Sequence, residues 1–104
     1  MIKREGELMG EDSLWSNVSL IQAPGLNLHR TPYCSRNHEY YSEDPVLTGF
    51  MGTAFSAGAE AKGLIAQVKH FAFNHQESNR AGLSTFFSEQ GGRENELRGF
   101  QIAL

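Results

Sequence analysis

In the stretch Leu64–Arg80, LIAQVKHFAFNHQESNR, an apolar run climbs to Val68, meets Lys69 and His70, and passes into a polar loop closed by Arg80. Leu64 to Phe71 has the near-continuous apolar character of a strand buried on both faces. Such a strand belongs to a parallel sheet covered by helices. Lys69 and His70 then stand at its C-terminal end, where chemistry collects in folds of that kind.

The segments on either side agree with this reading. Upstream, Asp44 is placed to cap a helix whose first position is Pro45, where a missing N–H costs nothing. Leu47, Phe50, Met51, Ala54, Phe55 and Gly58 keep the spacing of a one-sided apolar stripe, and Gly63 is the expected left-handed cap. Before that lie a helix over Glu5 to Trp15, with Leu8, Asp12 and Trp15 near one face, and a short strand Val18 to Ala23 halted by Pro24-Gly25. Gly25 to Pro45 is polar, aromatic and irregular; a loop of about 20 residues in a small domain is usually functional. A second polar loop runs from Asn74 to about Thr85, and Ser88 to Leu104 reads as helix with Leu97, Phe100 and Leu104 aligned. Gly91 and Gly92 weaken it by about 1 kcal/mol each relative to alanine. Helices alternating with buried strands predict an α/β fold with a parallel sheet, either a barrel or a doubly wound fold.

With 104 residues the chain is one small domain, 1–104. A net charge of −3 provides no basic field for nucleic acid or an anionic membrane, so neither is an expected partner. No apolar run approaches a membrane span. MIKREGELMG lacks the apolar core of a signal peptide, which predicts a cytoplasmic chain if that N-terminus is genuine and otherwise leaves the compartment open. No glycine pattern cradles a phosphate, and no cofactor is expected.

Lys69, His70 and Arg80 form a trio able to donate hydrogen bonds to the hydroxyls of a polar substrate. A lysine paired with a helix carboxylate and a histidine satisfied in the core is the competing reading. In the first long loop the planar fork of Arg36 can grip two adjacent oxygens. Glu39 reads as the partner that fixes an arginine rather than as a proton donor; Asp44 caps, and Glu43 favours the positive end of the helix. His29, His38, His70 and His75 match no zinc spacing, so no metal is expected. Cys34, the lone cysteine, has no activating arrangement and reads as a passive thiol.

Three motifs together carry a resemblance. APGLNLHRTPYCSRNHEYYSEDPVLTG, then KHFAFNHQESNR, then FFSEQGGRENELRGFQIAL resemble, in order and spacing, the N-terminal barrel domain of glycoside hydrolase family 3, the β-glucosidase type. The resemblance implies a sector of a (β/α)8 TIM-type barrel. Arg36 matches the family's substrate-binding arginine, Lys69 and His70 its lysine–histidine pair, and Arg80 the arginine closing its N-Q-E-x-N-R loop. In the family these residues hold the hydroxyls of the sugar on the non-reducing side of the scissile bond. The implied parent reaction is retaining hydrolysis of terminal non-reducing β-D-glycosidic bonds, on a β-linked oligosaccharide or an aryl or alkyl β-glycoside.

The sequence also departs from the family. Ser35 stands where the family has glycine. Phe73 and His75 replace smaller or amide residues, and Gly92, Asn95 and Glu96 replace leucine, isoleucine and tyrosine. Those last three predict a helix stripped of packing surface, at roughly 1.5–3 kcal/mol for each large buried side chain lost. The family's S/T-D-W motif, which holds the nucleophilic aspartate, is absent, and the only aspartates are Asp12 and Asp44. The acid/base glutamate lies later still in the family, so no residue of these 104 is assigned a catalytic role. A barrel typically needs about 250 residues. The expectation is therefore a fragment carrying part of the glycone subsite and inactive alone, with self-association through exposed sheet edges. The alternative is a degenerate remnant that binds saccharide weakly or not at all.

Overall fold

A computed structural model describes all residues, 1–104. The order of elements is helix α1 (Ile2–Ser16), strand β1 (Leu20–Ile21), helix α2 (Pro45–Glu60), strand β2 (Ile65–Ala66), helical segment α3 (Glu89–Gly91) and helix α4 (Arg98–Ala103). A π-helical turn, Gly92–Glu96, joins α3 to α4. Single 3₁₀ turns, Asn37–Glu39 and Arg80–Gly82, sit in the two long loops. The strands pair in parallel across the α2 crossover, Leu20 opposite Ile65 and Ile21 opposite Ala66.

Both strands are shorter than the sequence predicts. Val18 still belongs to the helix end, its N–H donating to the Ser13 carbonyl beyond the left-handed Asn17. Pairing then resumes only at Gly25 opposite Lys69. From Ile21 to Gly25 the first strand advances four residues while Ala66 to Lys69 advances three, so Gln22–Pro24 forms a one-residue bulge. Hydrogen bonds from Gln67 N to Ile21 O, Lys69 N to Pro24 O and Leu26 N to Lys69 O carry the ladder through to Lys69. The expectation that Leu64 to Phe71 is buried on both faces is corrected. Leu64 is buried, but Ile65 is 58% and Phe71 75% exposed, because a two-stranded sheet has one helical layer over it and an open opposite side.

Asp44 caps α2 as its chemistry requires, Oδ1 accepting from Val46 N at 2.8 Å, with Pro45 at the first position. Gly63 has φ +84°; its N–H bonds to Glu60 O and the Leu64 N–H to Ala59 O, the paired bonds of a Schellman end. Leu64 then packs with Ala59 and Phe55 in the core cluster, flanked by Ile21, Ala23 and Ala66.

The buried faces of the helices are not the ones the large apolar residues suggest. In α2 the buried side is Thr48, Gly49, Gly52, Phe55, Gly58 and Ala59, whereas Leu47 and Phe50 are exposed. In α1 it is Gly6, Gly10 and Ser13, whereas Leu8, Asp12 and Trp15 face outward. The two helices cross so closely that a Cβ on Gly58 would lie 2.1 Å from Lys3 O, and one on Gly6 2.1 Å from Phe55 O. Glycine decides this crossing by removing bulk, which an apolar periodicity does not register.

The last segment is also better packed than its composition predicts. Ser88 caps it through Gly91 N, and Phe100 is buried, though Leu104 is exposed. Gly92 lies beneath the Phe87 ring, where a Cβ would come within 2.9 Å, and Phe87 stacks on Phe73 at 4.0 Å between centroids. Glu96 is buried with Oε2 2.7 Å from His75 Nε2, off the line of a hydrogen bond, and Oε1 3.4 Å from Arg30. Asn95 Nδ2 donates to Gly91 O. Phe73 and His75, which depart from the family pattern in the loop, thus meet Gly92 and Glu96, which depart in the helix. The lost apolar surface is partly replaced by an aromatic stack worth about 0.5–1.5 kcal/mol and by the Arg30–Glu96 ion pair.

Candidate functional site

Gly25 organises the site. It bridges in parallel to Lys69 on one side and to Tyr40 on the other. A Cβ at Gly25 would lie 2.9 Å from the Tyr40 ring and 3.0 Å from Glu39 O, so only glycine lets the first long loop lie against the strand ends. That contact carries Glu39, and with it Arg36, to the mouth of β2 beside Lys69 and His70. The second loop brings Glu77 and Arg80 to the same place.

Arg36, Lys69, His70 and Arg80 all line one cleft of about 450 Å³, together with Gln22, Gln67, Val68 and Phe71. Two carboxylates connect the cations in an alternating chain. Glu39 accepts from Arg36 Nε and lies 2.7 Å from Lys69 Nζ. Glu77 reaches Arg36 Nη1 at 3.3 Å and Arg80 Nη1 at 3.2 Å. Asn74 Nδ2 also donates to Glu77, at 3.0 Å. Three cations against two carboxylates leave the cluster with one net positive charge. The Arg36 hydrogen bond, aided by Lys69, holds the Glu39 carboxyl at about 2. Asn74 and Arg36 hold Glu77 below the usual carboxylate range, and Glu39 raises Arg36 further above its already high value. Glu39, Glu77 and Arg36 are therefore charged across the physiological range.

His70 differs from its neighbours. Burial, followed by the charges of Arg36 and Lys69, lowers its pKa, so the ring is neutral near pH 7. Its Nδ1 lies 3.3 Å from Tyr40 Oη, and burial pushes that phenol up to about 12, which keeps the hydroxyl protonated.

The structure therefore brings all four sequence-predicted residues together. Glu39 fixes Arg36 as the sequence suggests. The competing reading of Lys69 and His70 also holds in part: Lys69 is paired with a carboxylate, from a loop rather than a helix, and His70 is held by neighbours while still lining the cleft. Sequence reasoning missed Glu77. Its signal is the glutamate inside the quoted N-Q-E-x-N-R pattern, three residues before Arg80, where a turn lets the pair close. Ser35 is exposed, and Cys34 is buried and free.

The model of the glycosyl hydrolase family 3 N-terminal domain matches residues 1–104. β-Glucosidase A of Butyrivibrio fibrisolvens is 44% identical over 95 residues, covering 91% of this chain and 11% of that protein. An exo-α-(1→6)-L-arabinopyranosidase of Bifidobacterium breve is 37% identical over 101 residues, covering 97% of this chain and 13% of that one. The structure of β-glucosidase 3B from Thermotoga neapolitana in complex with α-D-glucose superposes with a TM-score of 0.95 at 47% identity, over 98% of this chain and 14% of that chain. The chain thus spans between about a tenth and a seventh of the length of these relatives. It belongs to glycosyl hydrolase family 3, and its strands and helices are a sector of the TIM-type barrel of the N-terminal domain.

Proposed function

From that membership we propose that residues 1–104 form part of the sugar-binding wall of a β-glucosidase-type active site, and that the parent reaction is retaining hydrolysis of terminal non-reducing β-D-glycosidic bonds. The observation that carries the proposal is the convergence of Arg36, Lys69, His70 and Arg80, from three separate segments, on one cleft. A pyranose offers adjacent hydroxyls rather than charge, so replacing its water takes several oriented donors at once. Arg36 spends part of its donor capacity on Glu39 and Glu77 and Lys69 part of its own on Glu39, and both keep further N–H groups for a ligand. The carboxylates hold those groups in place before any ligand arrives, which limits the ordering cost of binding.

The site binds but does not break the bond. Asp12 lies on the outer face of α1 and Asp44 caps α2, so neither supplies a nucleophile to the cleft. The expected behaviour of the 104 residues by themselves is weak saccharide binding with no hydrolysis of an aryl β-glucoside. Titration with glucose, followed by amide shifts, tests this: movement at Lys69 and His70 that is lost in Lys69→Ala supports the reading. A titration that leaves those amides still refutes it. The substrate class is a β-linked oligosaccharide or an aryl or alkyl β-glycoside. The arabinopyranosidase among the relatives argues that this segment does not by itself select the sugar.

A further inference from the structure

Asn27 sits just past the Gly25 bridge, is only 2% exposed, and is not part of the cleft lining. Its carboxamide lies along the His70 peptide. Nδ2 donates to the His70 carbonyl at 3.1 Å, and Oδ1 accepts the His70 backbone N–H at 2.7 Å. A backbone carbonyl only accepts and a backbone N–H only donates, so the amide fits one way round. That orientation sets Oδ1 3.2 Å from the His70 ring Nδ1. An amide oxygen has no proton to give, and two lone pairs facing each other would repel. The contact is favourable only if Nδ1 carries a hydrogen. Tyr40 Oη, 3.3 Å from the same nitrogen, accommodates this by sharing that hydrogen as a second acceptor. The neutral ring holds a single proton, so Nε2 is bare, and it makes no hydrogen bond within the chain.

We propose that Asn27 is a positioning residue that fixes His70 as its Nδ1–H tautomer, leaving Nε2 available to the cleft as an acceptor for a hydroxyl proton of a bound sugar. The second half rests on the sugar-binding reading above; the first does not. Arg36, Lys69 and Arg80 can serve only the lone pairs of a ligand. A hydroxyl also has a hydrogen to place, and Nε2 receives it. A ligand with fluorine at that position keeps the acceptor but loses the donor, and forfeits the His70 contact.

The test is the pair of ¹⁵N imidazole resonances of His70 in the 104-residue chain, assigned by their loss in His70→Gln. The expected spectrum at pH 7 has a protonated Nδ1 and an unprotonated Nε2, with Nε2 moving on addition of glucose. Asn27→Ala, where it folds, is expected to populate the Nε2–H form and to weaken glucose binding by about ten-fold, the worth of roughly one hydrogen bond. Asn27→Asp, which keeps an oxygen beside Nδ1, is expected to retain the Nδ1–H form and so serves if the alanine variant is unfolded. A protonated Nε2 in the native chain overturns the proposal, as does an unchanged tautomer in folded Asn27→Ala. An Nδ1–H ring whose Nε2 ignores glucose leaves the Asn27 assignment standing and sinks the sugar reading.

Discussion

At the scale of single residues the site is a problem of shared carboxylates. Glu39 serves two cations, and its side chain and those of Arg36 and Lys69 are all between 20% and 25% exposed. Glu39→Gln leaves both cations without their common counter-charge, and a loss of about 1–3 kcal/mol is expected in urea unfolding at pH 7. That difference depends on pH in a defined direction. The Glu39 carboxyl titrates at about 2 in the folded chain and near the ordinary carboxylate value of about 4.3 when unfolded. Its contribution is complete above the unfolded value and is lost as pH falls through the folded one, so the gap between wild type and Glu39→Gln should close between about pH 4 and pH 2. His70 acts higher up. Its pKa is lowered by burial, so protonation favours the unfolded chain, and stability should start to fall below about pH 6.5 in wild type but not in His70→Gln. A wild-type profile that stays level from pH 7 to pH 5 would refute the burial of that ring. The sequence exposes these residues unevenly. Arg36, Lys69, His70 and Arg80 stand out because cations at strand ends and in long loops need a reason. Asn27 and Glu77 do not stand out, since their work is to hold other residues still.

At the scale of elements, close approach matters more than apolar area. The helix over Pro45–Glu60 was legible from Asp44, Pro45 and Gly63, whose cap chemistry is local and survives any tertiary context. Its buried face was not legible, because Leu47 and Phe50 mark a stripe that this chain leaves uncovered while glycines mark the contact. Gly58→Ala is the sharp case. In an exposed helix the change stabilises by about 1 kcal/mol. Here the new methyl meets Lys3 O, backbone that can move only if α1 moves, and a net loss of about 1–3 kcal/mol is expected by thermal unfolding. A raised melting temperature would show that the two helices are not in contact at this point. Strand length was overread for a related reason. The periodicity of Val18 to Ala23 cannot show that Asn17 turns Val18 back onto α1 or that the strand bulges before Gly25. The bulge is what lets Gly25 meet Tyr40 and Lys69 together. Gly25→Ala, driven against the Tyr40 ring and Glu39 O, should therefore damage the cleft as well as the fold.

At the scale of the whole molecule, the chain has more apolar surface than its own elements can cover. Buried positions number 21 of 104, and Leu47, Phe50, Ile65, Phe71 and Phe86 all face outward, on a sheet of two strands with open edges. In a complete barrel of the family both edges of such a pair are occupied by neighbouring strands and no sheet edge is left. The departures in the last helix look like decay in the sequence, but the structure pairs Phe73 with Phe87 over Gly92 and His75 with Glu96. The instability of this chain is therefore expected at its uncovered faces rather than in that helix. Ile65 and Phe71 project from the strand and the loop just beyond it, and Phe50 from α2, so they report on different faces. The 104-residue chain is expected to self-associate at micromolar concentration in sedimentation velocity. Ile65→Lys should reduce that association by charging the open sheet. Phe50→Lys should reduce it only if the helical face also takes part. A monomeric wild-type chain, with Ile65→Lys no more soluble than its parent, would mean that the open sheet is covered from within the chain, and the Lys69–Glu39–Arg36 chain built on its end would have to be redrawn with it.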